Sequence, residues 1–374
     1  MDLSISLEEK TLVRRLDWNI ILVILALNVI GLINLYSATH GPNSKEVESL
    51  FINQIVWLIS GWSIFFISTL LDYAIVSRIC YVIYFFNLLA ILYVDFFGKI
   101  ALGAQRWIDF GFFRYQPSET MKLALIMLMA KVLSQRNSMG QGMGFRELVA
   151  PLILVLIPFA LIMKQPDLGT AMMIIAISGS MILFTKVKKH IIVGAIVLIS
   201  ISLPIAWEYI LHDYQKNRVL TFLSPENDPR KTGYNALQSR YAVGSGQFFG
   251  KGFRKGTQSQ LEFLPERHTD FIYSVLSEEH GFVGSITTIG LFCILFFLVL
   301  RVAYQARDKF GALISVGVLS YIFWHMFVNV GMVIGLLPIV GVPLPLLSYG
   351  GSSMLTTMLG LGLISSVSFR RYLF

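Results

Sequence analysis

The sequence predicts an all-α polytopic membrane protein of about ten transmembrane helices, with a large extracytoplasmic loop before the eighth. Three observations predict it. Apolar runs of about 20 residues, enough to cross roughly 30 Å of hydrocarbon, recur from one end of the chain to the other. Of 374 residues, 55% are hydrophobic and only 14% charged, with a mean hydropathy of +0.68, which excludes a soluble globular enzyme. Lys and Arg gather in alternate connections, as they do in a chain threaded repeatedly through a bilayer. Residues 1–374 therefore read as a single membrane domain, with 211–270 as a long loop inside it.

The apolar runs lie near 17–39, 50–71, 74–97, 118–134, 148–164, 169–185, 190–210, 271–300, 311–336 and 352–369. Arg14, Arg15, Arg78, Lys131, Arg136, Arg146, Lys186, Lys188, Lys189, Arg301, Arg307, Lys309, Arg370 and Arg371 fall on one side. The opposite connections carry only Lys45, Lys99, Arg106, Arg114 and Lys164 outside the long loop. By the positive-inside rule both termini are cytoplasmic. The net charge of +8 is then mainly a topology signal and gives no reason to expect a nucleic-acid partner. The first run is too long for a signal-peptide core, so it reads as an uncleaved helix. Cys80 and Cys293 sit in different apolar runs without metal spacing and read as buried, inert thiols.

Two connections on the extracytoplasmic side are long. Residues 97–116 hold Gly103 to Gly111 with Arg106 and Trp107 among them, and 211–270 far exceeds an ordinary connection. The second is rich in Phe and Tyr, which predicts short amphipathic helices, for example around 235–243, lying against the membrane face. Gly244, Gly246, Gly250, Gly252 and Gly256 punctuate it. They fail the phosphate-loop pattern and point instead to tight turns and close backbone approach. Leu336 to Ser353 is apolar but dense in Pro and Gly, so it cannot be a continuous helix. Irregular backbone at membrane depth must be buried or line a cavity, which predicts a re-entrant or tightly packed hairpin walling one.

Several polar groups stand at the ends of these runs. Glu119 suits the positive end of a helix opened by Pro117, but Lys122 lies one turn deeper on the same face, where a cation in lipid is costly. Together they read as a charged pair facing a polar cavity. Asp167, in a very short turn, reads first as an N-cap and second as an ion or substrate ligand. His325 and Asn329, one turn apart, read as interhelical hydrogen-bonding groups. Asp270 follows Glu266, Arg267 and His268 at the mouth of the eighth run. It is either an N-cap or a carboxylate that takes a proton from a sugar hydroxyl or ligates a cation.

Several stretches resemble the SEDS family across nearly the whole chain. They are Arg106-Trp107-Ile108, Gln116 to Glu119 with Lys122, Gln165 to Thr170, and Asn329 with Gly335 to Pro338 and Leu346 to Ser353. Lys255 to Gln260 followed by Phe263 to Phe271 is similar to its elongation (RodA) branch rather than its division (FtsW) branch. The resemblance implies a peptidoglycan glycosyltransferase active in cell elongation and shape. The 4-hydroxyl of an acceptor GlcNAc would attack C1 of the donor lipid II's MurNAc with inversion, releasing undecaprenyl diphosphate. It assigns Asp270 as base, and Lys122, Arg106 and Arg218 as candidates to meet the diphosphate charge. Glu119, Trp107, Asp167 and His268 fall in the same substrate-binding set. Asp270 and Glu119 are candidate ligands of a divalent cation, Mg2+ or Mn2+, and no organic cofactor is expected. Expected partners are a class B penicillin-binding protein, lipid II and other elongation-complex proteins. The expected location is the bacterial cytoplasmic (inner) membrane, with the site extracytoplasmic. A lipid II flippase and a non-catalytic scaffold are the alternatives; the first predicts charges reachable from both faces, the second gives no reason for a charged mouth.

Overall fold

The structure, a computed structural model, describes residues 16–39, 48–101, 104–111, 114–136, 142–211, 213–224, 232–261, 263–264 and 266–371. Arg14, Arg15 and Lys45 of the charge pattern, and Gly103, lie outside the described residues. Helices α1 (Trp18–Thr39), α2 (Glu48–Leu70) and α3 (Tyr73–Phe97) lead into strands β1 (Lys99–Ala101), β2 (Ala104–Asp109) and β3 (Arg114–Tyr115). Then come α4 (Pro117–Ser134), α5 (Phe145–Lys164), α6 (Leu168–Phe184) and α7 (Lys189–Ile205), the last extended by a π turn, Ala206–Ile210. The long connection holds α8 (Asp213–Leu223), α9 (Thr232–Ser245) and α10 (Thr257–Gln260), followed by α11 (Ile272–Tyr304), α12 (Lys309–Val333) and α13 (Gly351–Arg370).

Each predicted apolar run falls on one long helix. Eight of the described helices are long and apolar enough to cross a membrane. Of the two that are not, α4 is interior, while α6 is buried on one face and exposes Met172, Leu183 and Phe184 on the other. Helix α6 is short, at 17 residues, and α4 carries Glu119, Lys122 and Lys131. Helix α4 is apolar on every side and buried on nearly every side, as a central post must be. At the other extreme, no residue of α7 is buried, which suits an apolar helix surrounded by lipid. Cys80 is buried as expected; Cys293 is not, because it sits on the outward face of α11.

Small residues bring the helices together. A Cβ on Gly362 of α13 would lie 2.7 Å from the Phe65 carbonyl oxygen of α2, and Thr69 Oγ1 reaches the Gly362 carbonyl at 3.5 Å. Arg370, counted in the charge pattern, also caps α2 by donating to the carbonyls of Thr69 (3.2 Å) and Leu70 (2.6 Å).

Helix α11 is broken at Gly281 (φ 63°, ψ −156°), although the sequence reads there as one uninterrupted run. The glycine-punctuated loop mends the break. Lys251 N and Gly252 N donate to the carbonyls of Glu278 (3.0 Å) and Glu279 (2.9 Å), while Phe282 N and Val283 N donate to Gln247 (2.9 Å) and Phe248 (3.2 Å). Four backbone groups orphaned by the kink are thereby satisfied. Contact this close requires glycine: a Cβ on Gly250 would lie 2.1 Å from the Glu279 oxygen, and one on Gly246 2.0 Å from that of Ser277. The expectation of close backbone approach is met.

Helix α9 covers the predicted 235–243 and packs on the ends of two long helices. Ser239 Oγ bonds Ser274 Oγ (2.9 Å) and the Val333 carbonyl (2.8 Å), pinning α9 to the ends of α11 and α12. Residues 334–350 are the predicted re-entrant hairpin. Asn28, with its amide oriented to its neighbours, donates to Leu346 O (3.2 Å) and accepts from Trp62 Nε1 (3.3 Å). Asn28 is about three turns, roughly 16 Å, below the end of α1 at Thr39, so the hairpin dips well into the bundle. Gln54 brackets its exit, bonding Ser348 O and Gly350 N at 3.3 Å each.

Candidate active site

Asp270 ends a tight turn in which Thr269 N (3.2 Å) and Phe271 N (3.3 Å) both donate to the Glu266 carbonyl. Glu262 and Pro265, earlier in this stretch, lie outside the described residues. Three successive carbonyls of the turn are tethered. His268 O accepts from Tyr349 N (3.0 Å), Thr269 O from Ser348 Oγ (2.7 Å) and Asp270 O from Asn329 Nδ2 (2.8 Å). The backbone under Asp270 is therefore fixed by the hairpin and by α12.

Its carboxylate is not fixed. The N-cap of α11 is Phe271, with no side-chain cap bond, and among the described residues the Asp270 carboxylate accepts no hydrogen bond. The N-cap alternative is thereby overturned. The carboxyl is recessed beside Gly341, where a Cβ would stand 3.3 Å from Oδ2. Burial pushes its pKa up to about 7; the nearby Glu266 adds to this and the Arg218 guanidinium opposes it. His268, half-buried against Tyr349, is held below the usual histidine range by the same burial, with Glu266 opposing.

Lys122 and Glu119 form the expected pair, at 2.8 Å. They do not line an open cavity. Lys122 is 1% exposed, its ammonium 2.8 Å from His325 Nε2 and 5.3 Å above the Tyr321 ring. His325 Nδ1 donates to Pro343 O (3.3 Å), so Nε2 is the acceptor and Lys122 the donor. Glu119 Oε2 is buried without a hydrogen-bond partner. Asn329, one turn along α12, also donates to Val342 O (2.7 Å). His325 thus makes the interhelical bond expected of it, whereas Asn329 bonds the backbone of the turn and the hairpin; together they clamp the hairpin between the Lys122 pair and Asp270.

Arg106, Trp107 and Asp167 come together elsewhere on this face. Residues 97–116, read from sequence as a loop, form antiparallel pairs Ile100 with Gln105 and Ile108 with Tyr115. Strand β2 aims Arg106 at the turn after α5, where Nε donates to Gln165 O (3.2 Å), Nη2 to Pro166 O, and Asp167 Oδ2 lies 3.8 Å away. Asp167 also accepts from Thr170 N (3.2 Å) and Thr170 Oγ1 (3.0 Å), which is the N-cap reading. In this arrangement Arg106 and Asp167 are a clamp between hairpin and turn, and half-buried Trp107 lies in the same strand.

Arg218 of α8 donates to Val340 O (3.3 Å), next to Gly341 and Asp270. It shares an open cleft with Arg240 of α9, walled by Phe222, Met332, Leu337 and Ile339. Arg240 was missed in the sequence; only a cation in an aromatic-rich loop marked it. Among the described residues no group of three or more His, Cys, Asp or Glu side chains is placed to hold a metal ion.

A model of the cell-cycle protein family FtsW/RodA/SpoVE matches residues 17–373. The chain belongs to that family. It is 39% identical to the peptidoglycan glycosyltransferase MrdB of Escherichia coli K12 over 369 residues, 95% of this chain and 94% of that one. It is 31% identical to the peptidoglycan glycosyltransferase RodA of Treponema pallidum, over 95% of this chain and 98% of that one. A chain from a structure describing the coordination of polymerization and crosslinking by a peptidoglycan synthase complex superposes with a TM-score of 0.82 at 29% identity, covering 96% of this chain and 98% of that one. The crystal structure of RodA from Thermus thermophilus superposes with a TM-score of 0.70 at 28% identity and the same coverage. The match spans the fold and the region of every candidate residue above.

Proposed function

We infer that this FtsW/RodA/SpoVE-family chain extends glycan strands from lipid II, with Asp270 as the general base. It is a multi-pass membrane protein and a peptidoglycan glycosyltransferase. The observation that carries the assignment of the base is a recessed carboxylate on a tethered backbone, with both oxygens unclaimed and a pKa of about 7. A base must have an open lone pair and a proton affinity near the working pH. Asp270 has both.

In the proposed step the acceptor's 4-hydroxyl donates its hydrogen bond to Asp270. As that oxygen attacks C1 of the donor sugar, its proton moves to the carboxylate and the C1–phosphate bond breaks with inversion. The bonding pair leaves on the diphosphate, whose charge must be met where it develops. Arg218 stands on the Asp270 side of the hairpin for that task. Lys122 is closed off by Glu119 and His325, so its part is to hold α4 and the hairpin in place. A divalent cation fits Asp270, since Mg2+ or Mn2+ at a diphosphate needs one or two carboxylates, with water and phosphate oxygens completing its shell. Bound there, it would supply Lewis-acid stabilisation of the leaving group.

The likeness to a synthase complex supports pairing with a class B penicillin-binding protein, and the charge pattern supports a cytoplasmic membrane with the site outside. The test is polymerisation of lipid II by purified protein. Asp270→Asn should fold, bind such a partner and lose roughly 10²–10⁴ in rate. Near wild-type turnover by Asp270→Asn would remove Asp270 from the chemistry.

A further inference from the structure

The Arg218–Arg240 cleft is the feature least explained by packing. Helices α8 and α9 place two guanidinium groups in one opening. Each has five N–H donors in a rigid fork. Arg218 uses one on Val340 O and Arg240 one on Gly335 O, both at 3.3 Å. Among the described residues neither makes an ion pair and the buried Arg240 Nε has no acceptor. Arg218 has the Asp270 carboxylate nearby, but among the described residues Arg240 has no counter-charge, and its buried Nε is costly to leave unsatisfied unless a ligand completes it. The remaining wall is apolar, with Phe222, Leu337 and Ile339 beside the cations. The space between them is narrow, about 10 Å³, so the ligand this lining suits is an anion whose acceptor oxygens meet the guanidinium forks at the cleft mouth, joined to a hydrocarbon tail along the apolar wall.

Position narrows this further. The Val340 carbonyl that holds Arg218 is one residue from Gly341, which abuts Asp270 Oδ2. Polymerisation brings two lipid diphosphates to the enzyme, one leaving with the donor and one staying on the acceptor. The leaving oxygen is bonded to the carbon under attack, within about 8 Å of the base when hydrogen-bond and near-attack distances are added. The acceptor's own diphosphate is two sugar rings from its reacting hydroxyl. A cationic cleft one residue from the base therefore matches the donor.

We propose that Arg218 and Arg240 form the subsite for the donor's diphosphate, with the prenyl chain running along Phe222, Leu337 and Ile339. Arg240 is thereby a substrate-binding residue. This rests on the glycosyltransferase reading, and the test separates the two.

The probe is geranylgeranyl diphosphate, titrated into the purified full-length protein at fixed salt. Inorganic pyrophosphate, geranylgeraniol and phosphatidylglycerol micelles are the comparison arms. With divalent cations chelated, wild type should bind the prenyl diphosphate, and Asp270→Asn, which loses a nearby negative charge, should bind it at least as tightly. Arg218→Gln and Arg240→Gln should each weaken it at least tenfold and flatten its salt dependence, as loss of one charge-assisted contact requires. Arg240→Lys, which keeps the charge and loses the fork, should fall between and guards against misfolding of the glutamine variant. Pyrophosphate should compete weakly and geranylgeraniol hardly at all. In turnover, Arg240→Gln should lower kcat/KM for lipid II and relieve inhibition by undecaprenyl diphosphate. Unchanged affinity in folded Arg240→Gln and Arg240→Lys would overturn the assignment. So would competition by phosphatidylglycerol equal to that of the prenyl diphosphate, which would make the cleft a general anionic-lipid site. If Asp270→Asn polymerises normally while these binding differences persist, the base assignment fails and the subsite stands.

Discussion

Replacing Asn329 with Leu tests how the hairpin governs the site. The two side chains are similar in size, so the perturbation is the loss of one amide that donates to Asp270 O at 2.8 Å and Val342 O at 2.7 Å. Asn329 is fully buried, so water does not replace the amide. Each orphaned carbonyl costs about 1–3 kcal/mol, which puts the destabilisation at about 2–6 kcal/mol. The effect on turnover should exceed what the unfolded fraction explains. Releasing one of the turn's three tethers lets Asp270 drift, and a displacement of about 1 Å can cost on the order of 10²-fold in rate. The assay pairs thermal unfolding in detergent with lipid II polymerisation at a temperature where the variant is folded. Ser348→Ala, which frees Thr269 O and the Leu344 N–H but leaves Asp270 O tethered, is the comparison and should lose less turnover. Asn329→Leu with wild-type melting and turnover would refute the claim that α12 and the hairpin hold the base.

Four further outcomes follow from the structure and the charge pattern. With Asp270 titrating at about 7, polymerisation should fall in the acid direction below pH 7 as the base becomes protonated. Because the folded-state pKa lies above the unfolded one, Asp270 contributes stability that is full below the ordinary aspartate range and lost as pH rises through about 7. Asp270→Asn should therefore be no less stable than wild type at pH 8, measured by melting across pH. Lys122→Met should strand the buried Glu119 carboxylate and destabilise by about 3–5 kcal/mol, and adding Glu119→Gln should recover much of that in melting experiments. In a background without Cys80 and Cys293, Gln105→Cys should react with an impermeant thiol reagent from outside and Lys188→Cys only after permeabilisation; the reverse pattern would invert the topology.

The long helices were legible because each needs only its own length and composition to be recognised. The Pro- and Gly-rich run from Leu336 was legible as a non-helical segment for the same local reason. The break at Gly281 was not, although Glu278, Glu279 and His280 directly precede it, since its caps come from Gln247 to Gly252, a separate loop. Asp270, Lys122 and Glu119 stood out as charges at membrane ends, but whether each was open or closed depended on partners far along the chain. His325 closes Lys122 from 203 residues away, and Asn329 tethers Asp270 without touching its carboxylate. Arg240 had no local signature at all. Its significance arises only when α9 is set against the turn at Gly335.

The pairing of α2 with α13 bears on how the protein is made. Ser366 Oγ of α13 bonds the Leu71 carbonyl, 295 residues earlier in the chain, and Gly362 lies against Phe65. During synthesis α2 must therefore wait in the bilayer, with Gln54 unmatched until the hairpin is made and its carbonyls at Thr69 to Leu71 uncapped until the final helix leaves the ribosome. The hairpin carbonyls that Gln54 and Asn28 receive are also made late. Assembly is thus closed by its last translated segment. A nascent chain truncated before α13 leaves the end carbonyls of α2 uncapped and its packing face bare, a mark by which quality-control proteases can distinguish it from the finished enzyme.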